Sequence, residues 1–245
     1  MKILAHRGFS GNYPENTMLA FRKAVEAHAD GIELDLHLSK DGELIIIHDE
    51  LLERTTGKKG YVHDYLCKEL QSIDAGIFSH DYQEETLIPS FSQYAHFIKD
   101  KDVITNIEIK TNRRYYPAIE EKILEALKAF SIEDKVIISS FNWLSVCRFK
   151  MIAPHIATAV LIEDTYVANI ERQVASLAIN FLHPDIHLLD DSIIESCNQA
   201  GVPLNIWTVN TEQQIKQAQQ WGAQGIITNH PDLCWSLLNP PAPTL

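Results

Sequence analysis

The chain has 245 residues, of which 45% are hydrophobic and 22% charged. That length suits one domain of about 250 residues, and the composition is that of a folded protein rather than a disordered one. A net charge of −12 excludes a general nucleic-acid binder, which needs a basic footprint, and means that any site for an anion must carry its own local positive charge.

The predicted elements alternate along the chain. A strand at Lys2–Ala5 leads to a helix over Glu15–His28 and a second strand at Gly31–Leu36. Asp41-Gly42 is a hairpin signal, followed by the apolar run Leu44–Ile47. Residues 50–89 form the least regular stretch, an elaborated loop with one short helix near Tyr65–Ile73. Beyond it the rhythm is regular. A helix at Phe91–Lys99 precedes a strand at Val103–Ile109, and a helix at Pro117–Phe130 precedes a strand at Val136–Ser139. Helices at Trp143–Ile152, Val167–Leu177, Ser192–Ala200, Glu212–Trp221 and Asp232–Leu238 then alternate with strands at Ile156–Ile162, Ala178–Leu182, Pro203–Thr208 and Gln224–Thr228. Setting the hairpin run aside, these are eight strand-then-helix units. Such alternation implies a parallel sheet, and eight units ending in a helix favour a closed (β/α)8 barrel over an open sheet. The expected layout is α/β: a TIM barrel over residues 1–238, a small irregular insertion at about 50–89 after the second strand, and a tail at 239–245.

Cys67, Cys147, Cys197 and Cys234 form neither a CxxC pair nor a zinc-finger spacing, so they read as buried thiols of a reducing compartment. The N-terminus enters a strand at once, without the apolar run of a signal peptide, and no apolar stretch is long enough for a membrane span. A cytoplasmic protein is expected.

In such a barrel, chemistry is placed where strands end and the following loops begin. His6-Arg7-Gly8 follows the first strand, and Glu33 and Asp35 end the second. His48-Asp49 follows the hairpin run, Glu108 and Lys110 end the third core strand, Trp207 and Asn210 flank the end of the seventh, and Thr228 ends the eighth. Side chains two apart on a strand share a face. With Ile32, Leu34 and Leu36 packed against helices, Glu33 and Asp35 face the barrel axis, and Glu108 pairs with Lys110 by the same logic. Three converging carboxylates repel unless a cation lies between them, and hard oxygen donors suit Mg²⁺ or Ca²⁺. A single strand-end acid is usually only solvated, but two unpaired acids inside an apolar strand are costly to bury. Most of the eleven histidines, among them His28, His63, His80, His96, His155, His187 and His230, read as surface or satisfied core residues. His37 reads as a residue of the rim, and Asp49 either as a partner that orients a histidine or as a plain loop residue. Arg7 alone reads equally as half of a structural ion pair, and Trp207 as core.

Taken together, His6-Arg7-Gly8, Glu15-Asn16-Thr17, Glu33-Leu34-Asp35, Lys40-Asp41-Gly42, His48-Asp49, Arg54-Thr55-Thr56-Gly57, Glu108-Ile109-Lys110, Trp207-Thr208-Val209-Asn210 and Gly225-Ile226-Ile227-Thr228 resemble the glycerophosphodiester phosphodiesterase family. Each triplet alone is weak; all of them in the family's order, from His6 to Pro231, are specific. The resemblance implies hydrolysis of glycerophosphodiesters, such as glycerophosphocholine or glycerophosphoethanolamine, to glycerol 3-phosphate and an alcohol. It implies one divalent cation on Glu33, Asp35 and Glu108, with His6 and His48 as general acid and base. Arg7 and Lys110 are implied at the phosphate, and Trp207 near the glycerol end. The implied partner is a small phosphodiester; the acidic charge speaks against nucleic acid, and no membrane span is expected. One departure stands out: the family often has Thr-Asp where this chain has Thr228-Asn229, and the lost negative charge is expected at the site's rim, acting through neighbours without loss of activity. A lysophospholipase D on the same barrel, a barrel that only binds phosphate, and a sugar hydrolase are the competing readings. Two histidines with Arg7 and Lys110 fit a phosphate better than a glycoside.

Overall fold

The computed structural model describes residues 1–78, 86–164 and 167–240. Its strands are β1 (Lys2–His6), β2 (Gly31–Leu38), β3 (Leu44–Ile46), β4 (Ile104–Ile109), β5 (Val136–Ser140), β6 (Ala157–Ile162), β7 (Phe181–Pro184), β8 (Asn205–Ile206) and β9 (Gly225–Thr228). All but β3 run parallel, in the spatial order β7-β6-β5-β4-β2-β1-β9-β8, while β3 pairs antiparallel with the far end of β2. Single parallel bridges, Leu182 to Leu204 and Asp185 to Trp207, join β7 to β8 and bring the sheet almost to closure. The result is the expected (β/α)8 barrel.

Ten α-helices are present among the described residues: α1 (Met18–Glu26), α2 (Glu53–Thr56), α3 (Cys67–Leu70), α4 (Phe91–Ile98), α5 (Ile119–Phe130), α6 (Trp143–Ile152), α7 (Ile170–Ser176), α8 (Asp191–Ala200), α9 (Glu212–Gln220) and α10 (Pro231–Leu238). Polar caps set several of their starts. Thr17 accepts from the Ala20 amide, so Glu15 and Asn16, expected inside the first helix, lie in the loop before it. Ser90 with Gln93 and Thr211 with Gln214 form reciprocal capping boxes at α4 and α9. Ala118 has a left-handed φ of 62°, so α5 begins at Ile119 rather than Pro117. Asn169, at φ 57°, trims α7 in the same way, and Ala178, at φ 54°, delays β7 to Phe181.

The alternation on β2 works as the sequence implies. Ile32, Leu34 and Leu36 face outward and pack with Phe21, Phe91 and Tyr94 in one continuous apolar layer. Phe21 and Tyr94 are fully buried and meet edge to face, with ring centroids 4.9 Å apart; each such side chain contributes roughly 1.5–3 kcal/mol by burial. A second apolar layer covers the other half of the barrel, where Ile3, Val160, Leu182, Ile206 and Ile226 meet Val174, Ile194 and Ile215. The insertion has a core of its own, in which Leu52, Val62, Leu70, Ile73 and Ile88 close over Ile45 and Ile47. It holds two short helices, α2 and α3, where the sequence predicted one, and α3 is shorter than the expected Tyr65–Ile73. Residues 79–85, with His80, and the tail residues 241–245 lie outside the described residues. Cys197 and Cys234 are buried as expected, whereas Cys67 and Cys147 are only half-buried. Among the described residues no helix is long and apolar enough to cross a membrane.

The barrel interior is polar in places. His183 on β7 is fully buried and its Nε2 lies 2.9 Å from the Asn205 amide nitrogen. Burial pushes this imidazole down to about 3, against 6.5 for an ordinary histidine. The unfolded chain therefore takes up a proton as the pH falls through 6.5, while the folded one resists until near 3. Stability is lost across that window as pH drops. His183→Gln is expected to flatten the fall in urea midpoint between pH 7 and 4 by the share of one proton. An unchanged slope would mean that this ring is not a source of acid sensitivity.

Candidate active site

The groups singled out in the sequence meet at the C-terminal end of the barrel. Strand register brings Glu33 level with Asn106, and Asp35 level with Glu108. Glu33, Asp35 and Glu108 are all buried, and each places a carboxylate oxygen within 4.8 Å of the others. Burial, followed by repulsion from Asp35 and Glu108, pushes Glu33 well above the usual carboxylate range. Burial also raises Glu108, against the pull of Lys110. Burial would raise Asp35 too, but Lys110, His48, Arg7 and the Asn16 amide overcome it and hold Asp35 low. Asp35 Oδ1, Asn16 Oδ1 and Asn106 Oδ1 are buried oxygens without a hydrogen-bond partner. Hard oxygen donors, one acid forced towards neutrality and uncommitted buried oxygens together fit a divalent cation of the Mg²⁺ or Ca²⁺ type.

Arg7 has a left-handed φ of 54°, which turns its backbone N–H onto Glu33 Oε2 at 2.8 Å. Gly8 follows at φ 79°, where a Cβ would lie 2.7 Å from the Ala20 carbonyl carbon; only glycine lets this loop sit against α1. The Arg7 guanidinium donates to Glu15 at 2.9 Å and lies 3.6 Å from Asp35. Glu15 in turn holds Arg54 through two bonds of 2.7 and 2.8 Å, and Arg54 donates to Asp49 at 2.5 Å. Asp49 Oδ1 accepts a hydrogen bond from His48 Nδ1 at 2.5 Å, the contact of an orienting partner rather than of a plain loop residue. Lys110 closes the ring of charges. Its ammonium lies 2.7 Å from Glu108 and 3.5 Å from Asp35, and it donates to His48 Nε2 at 3.2 Å.

His6 stands on the opposite side. Its Nδ1 is 2.6 Å from Asn229 Oδ1, and burial, then the Arg7 charge, push the imidazole down to about 4. Asn229 is half-buried and touches His6, as an effect acting through neighbours requires. Trp207 donates its indole N–H to His183 O at 2.8 Å, and its ring meets Phe141 edge to face at 5.6 Å. His37, by contrast, is not on the rim. Pairing with β3 carries β2 on to Leu38, and the fully buried ring bonds to Tyr116 and to the His48 carbonyl. It fixes the backbone of a site residue.

Two neighbouring spaces open here. A narrow pocket of about 70 Å³ is lined by His6, Arg7, Glu33, Glu108 and Trp207. A wider cleft of about 440 Å³ begins at His48 and Lys110 and runs out past Glu50, Tyr61 and Arg113. Phe141 and Glu163 border both. Sequence reasoning gave no role to Glu15, Asn16 or Arg54, although all three sit in the quoted motifs. Phe141 and Glu163 carried no motif signal at all.

The family model for glycerophosphoryl diester phosphodiesterases matches residues 6–233. The chain belongs to that family. It is a phosphoric diester hydrolase, of the kind that acts on glycerophosphodiesters. It is 40% identical over 237 residues to the glycerophosphodiester phosphodiesterase of Caldanaerobacter subterraneus subsp. tengcongensis, covering 96% of this chain and 97% of the other. The Bacillus altitudinis glycerophosphodiester phosphodiesterase is 41% identical over 237 residues, with coverage of 94% and 95%. An Oleispira antarctica phosphodiesterase, solved in complex with the product sn-glycerol-3-phosphate, superposes with a TM-score of 0.86 at 26% identity, over 98% of this chain and 97% of that one.

Proposed function

We propose that this phosphodiesterase releases glycerol 3-phosphate from small glycerophosphodiesters, such as glycerophosphocholine and glycerophosphoethanolamine, with a divalent cation on Glu33, Asp35 and Glu108. The observation that carries this reading is the buried carboxylate triad, flanked by one histidine at the end of β1 and another on the loop after β3. The product bound to the Oleispira antarctica protein supports it. When bound, such a cation offsets phosphodiester charge and lowers the pKa of a hydroxyl.

The remaining work falls to side chains. Arg7, a planar fork fixed by Glu15, faces phosphate oxygens from the narrow pocket. Lys110 adds a point charge from the wider cleft. His6 and His48 exchange protons: one takes a proton from the attacking hydroxyl, the other gives one to the departing alcohol. Attack by water and attack by the glycerol 2-hydroxyl both need this same pair. Trp207 and Phe141 close the narrow pocket with apolar walls.

A second reading keeps this chemistry but takes lipids with one acyl chain. Leu51 and Tyr61 are exposed and line the wider cleft, yet Asp49, Glu50, Asn112, Arg113 and Glu163 surround them. That lining suits a small polar alcohol better than an acyl chain. Turnover of glycerophosphocholine against lysophosphatidylcholine separates the two. The first is expected to be the better substrate, and activity confined to the second would transfer the protein to the lipid-cleaving reading.

A further inference from the structure

We propose that Asn229 is a positioning residue for His6: its amide oxygen holds the ring in the Nδ1–H tautomer, so that the bare Nε2 faces the narrow pocket. The proposal rests on the reading of His6 as a proton-transfer group.

The two residues lie 223 positions apart, at the last residue of β1 and on the loop after β9, and meet at 2.6 Å between Nδ1 and Oδ1. A neutral imidazole has one N–H and one lone pair, and the partner of one nitrogen decides the state of the other. His6 Nε2 has no hydrogen bond among the described residues, so the Asn229 contact alone sets the tautomer.

Asn229 is itself held. Its backbone N–H donates to Asn210 Oδ1 at 2.9 Å, and its carbonyl accepts from the Gly11 amide at 2.9 Å. The Ser10 hydroxyl lies 2.6 Å from the His6 carbonyl and 3.1 Å from Asn229 Oδ1, which ties the two loops together a second time. Gly11 leaves room for this approach, because a Cβ there would lie 2.6 Å from the Asn229 carbonyl oxygen. The chain of contacts Asn210, Asn229, His6 links the end of β8 to the end of β1. On the other side of the site, Asp49 accepts a hydrogen bond from His48 Nδ1–H. Both histidines then carry the proton on Nδ1 and leave Nε2 as an acceptor, one backed by a carboxylate and the other by a neutral amide; Nε2 of His48 accepts from Lys110.

The test uses the full chain. In ¹⁵N spectra of the wild-type ring, identified by its loss in His6→Gln, Nδ1 is expected to carry the proton at neutral pH and Nε2 to be bare. Asn229→Leu, which keeps the volume and removes the acceptor, is expected to lower kcat on glycerophosphocholine roughly 10–100-fold, as for other groups that orient a working histidine, with KM within about twofold. Asn229→Asp restores an oxygen acceptor and is expected to retain at least about tenfold more of kcat than the leucine variant, since Nδ1–H keeps its partner. A wild-type spectrum with the proton on Nε2 overturns the proposal without any variant at position 229. So does a folded leucine variant with wild-type kcat. Wild-type turnover in His6→Ala overturns the role of His6 itself, and the positioning role with it, which separates the two failures.

Discussion

His6→Ala and His48→Ala are each expected to lower kcat on glycerophosphocholine about 10²–10⁴-fold, the range for loss of a positioned acid or base. The two rings approach the carboxylate triad from opposite sides, one lining the narrow pocket and the other the wider cleft. Neither can stand in for the other. Their effects on the fold should differ. His6 is bonded through its side chain to Asn229 alone, so its removal leaves the packed layers untouched. His48 stands between Asp49 and Lys110, so its loss frees a carboxylate and an ammonium to move. Lys110 still has Glu108 at 2.7 Å, which keeps its charge paired, and melting temperatures of both variants should remain close to wild type. Steady-state turnover beside a thermal melt checks this. A folded His6→Ala or His48→Ala protein with unimpaired kcat would contradict the assignment.

Glu33→Gln is expected to weaken Mg²⁺ and Ca²⁺ binding by at least about 10-fold, since even partners that only orient a ligand cost 10–100-fold when lost. Stability should move the other way. Without a cation the Glu33 carboxylate is opposed by burial and by Asp35 and Glu108. An isosteric amide removes that conflict, so the melting temperature of the metal-free variant is expected to equal or exceed that of wild type. Asp35→Asn gives the contrast. Asp35 is the carboxylate on which Arg7, Lys110 and Asn16 converge, and its neutralisation leaves two buried cations short of charge, a loss that costs several kcal/mol when a buried pair is broken. Titration calorimetry with each cation, paired with melts, reads both effects. Unchanged affinity in Glu33→Gln would remove Glu33 from the cation site, while excess metal partly restoring its turnover would support the assignment.

Much of this site was legible because strands buried on both faces read as nearly continuous apolar runs. Against Ile32, Leu34 and Leu36, the acids Glu33 and Asp35 stand out, and period two puts them on one face. The same reading paired Glu108 with Lys110. What it missed follows from tertiary contacts that have no local period. His37 continues the inward face of β2, but only the pairing of β3 with Leu36–Leu38 buries it. Asn229 meets His6 across almost the whole chain. Glu15 and Arg54 meet across 39 residues to form the ion-pair path from Arg7 to His48. Element ends were misplaced where a single residue took a left-handed φ, at Ala118, Asn169 and Ala178; alanine carries no sequence signal for that conformation, whereas asparagine favours it, so only the Asn169 boundary had a local cue.

The measurement that tests the central claim most directly is release of glycerol 3-phosphate from glycerophosphocholine by the purified protein, with Mg²⁺, with Ca²⁺ and with a chelator. Glycerol 3-phosphate and choline should appear in equal amounts with at least one of the two cations and stop on chelation. Undiminished release in chelator, or choline phosphate in place of glycerol 3-phosphate, would contradict the account.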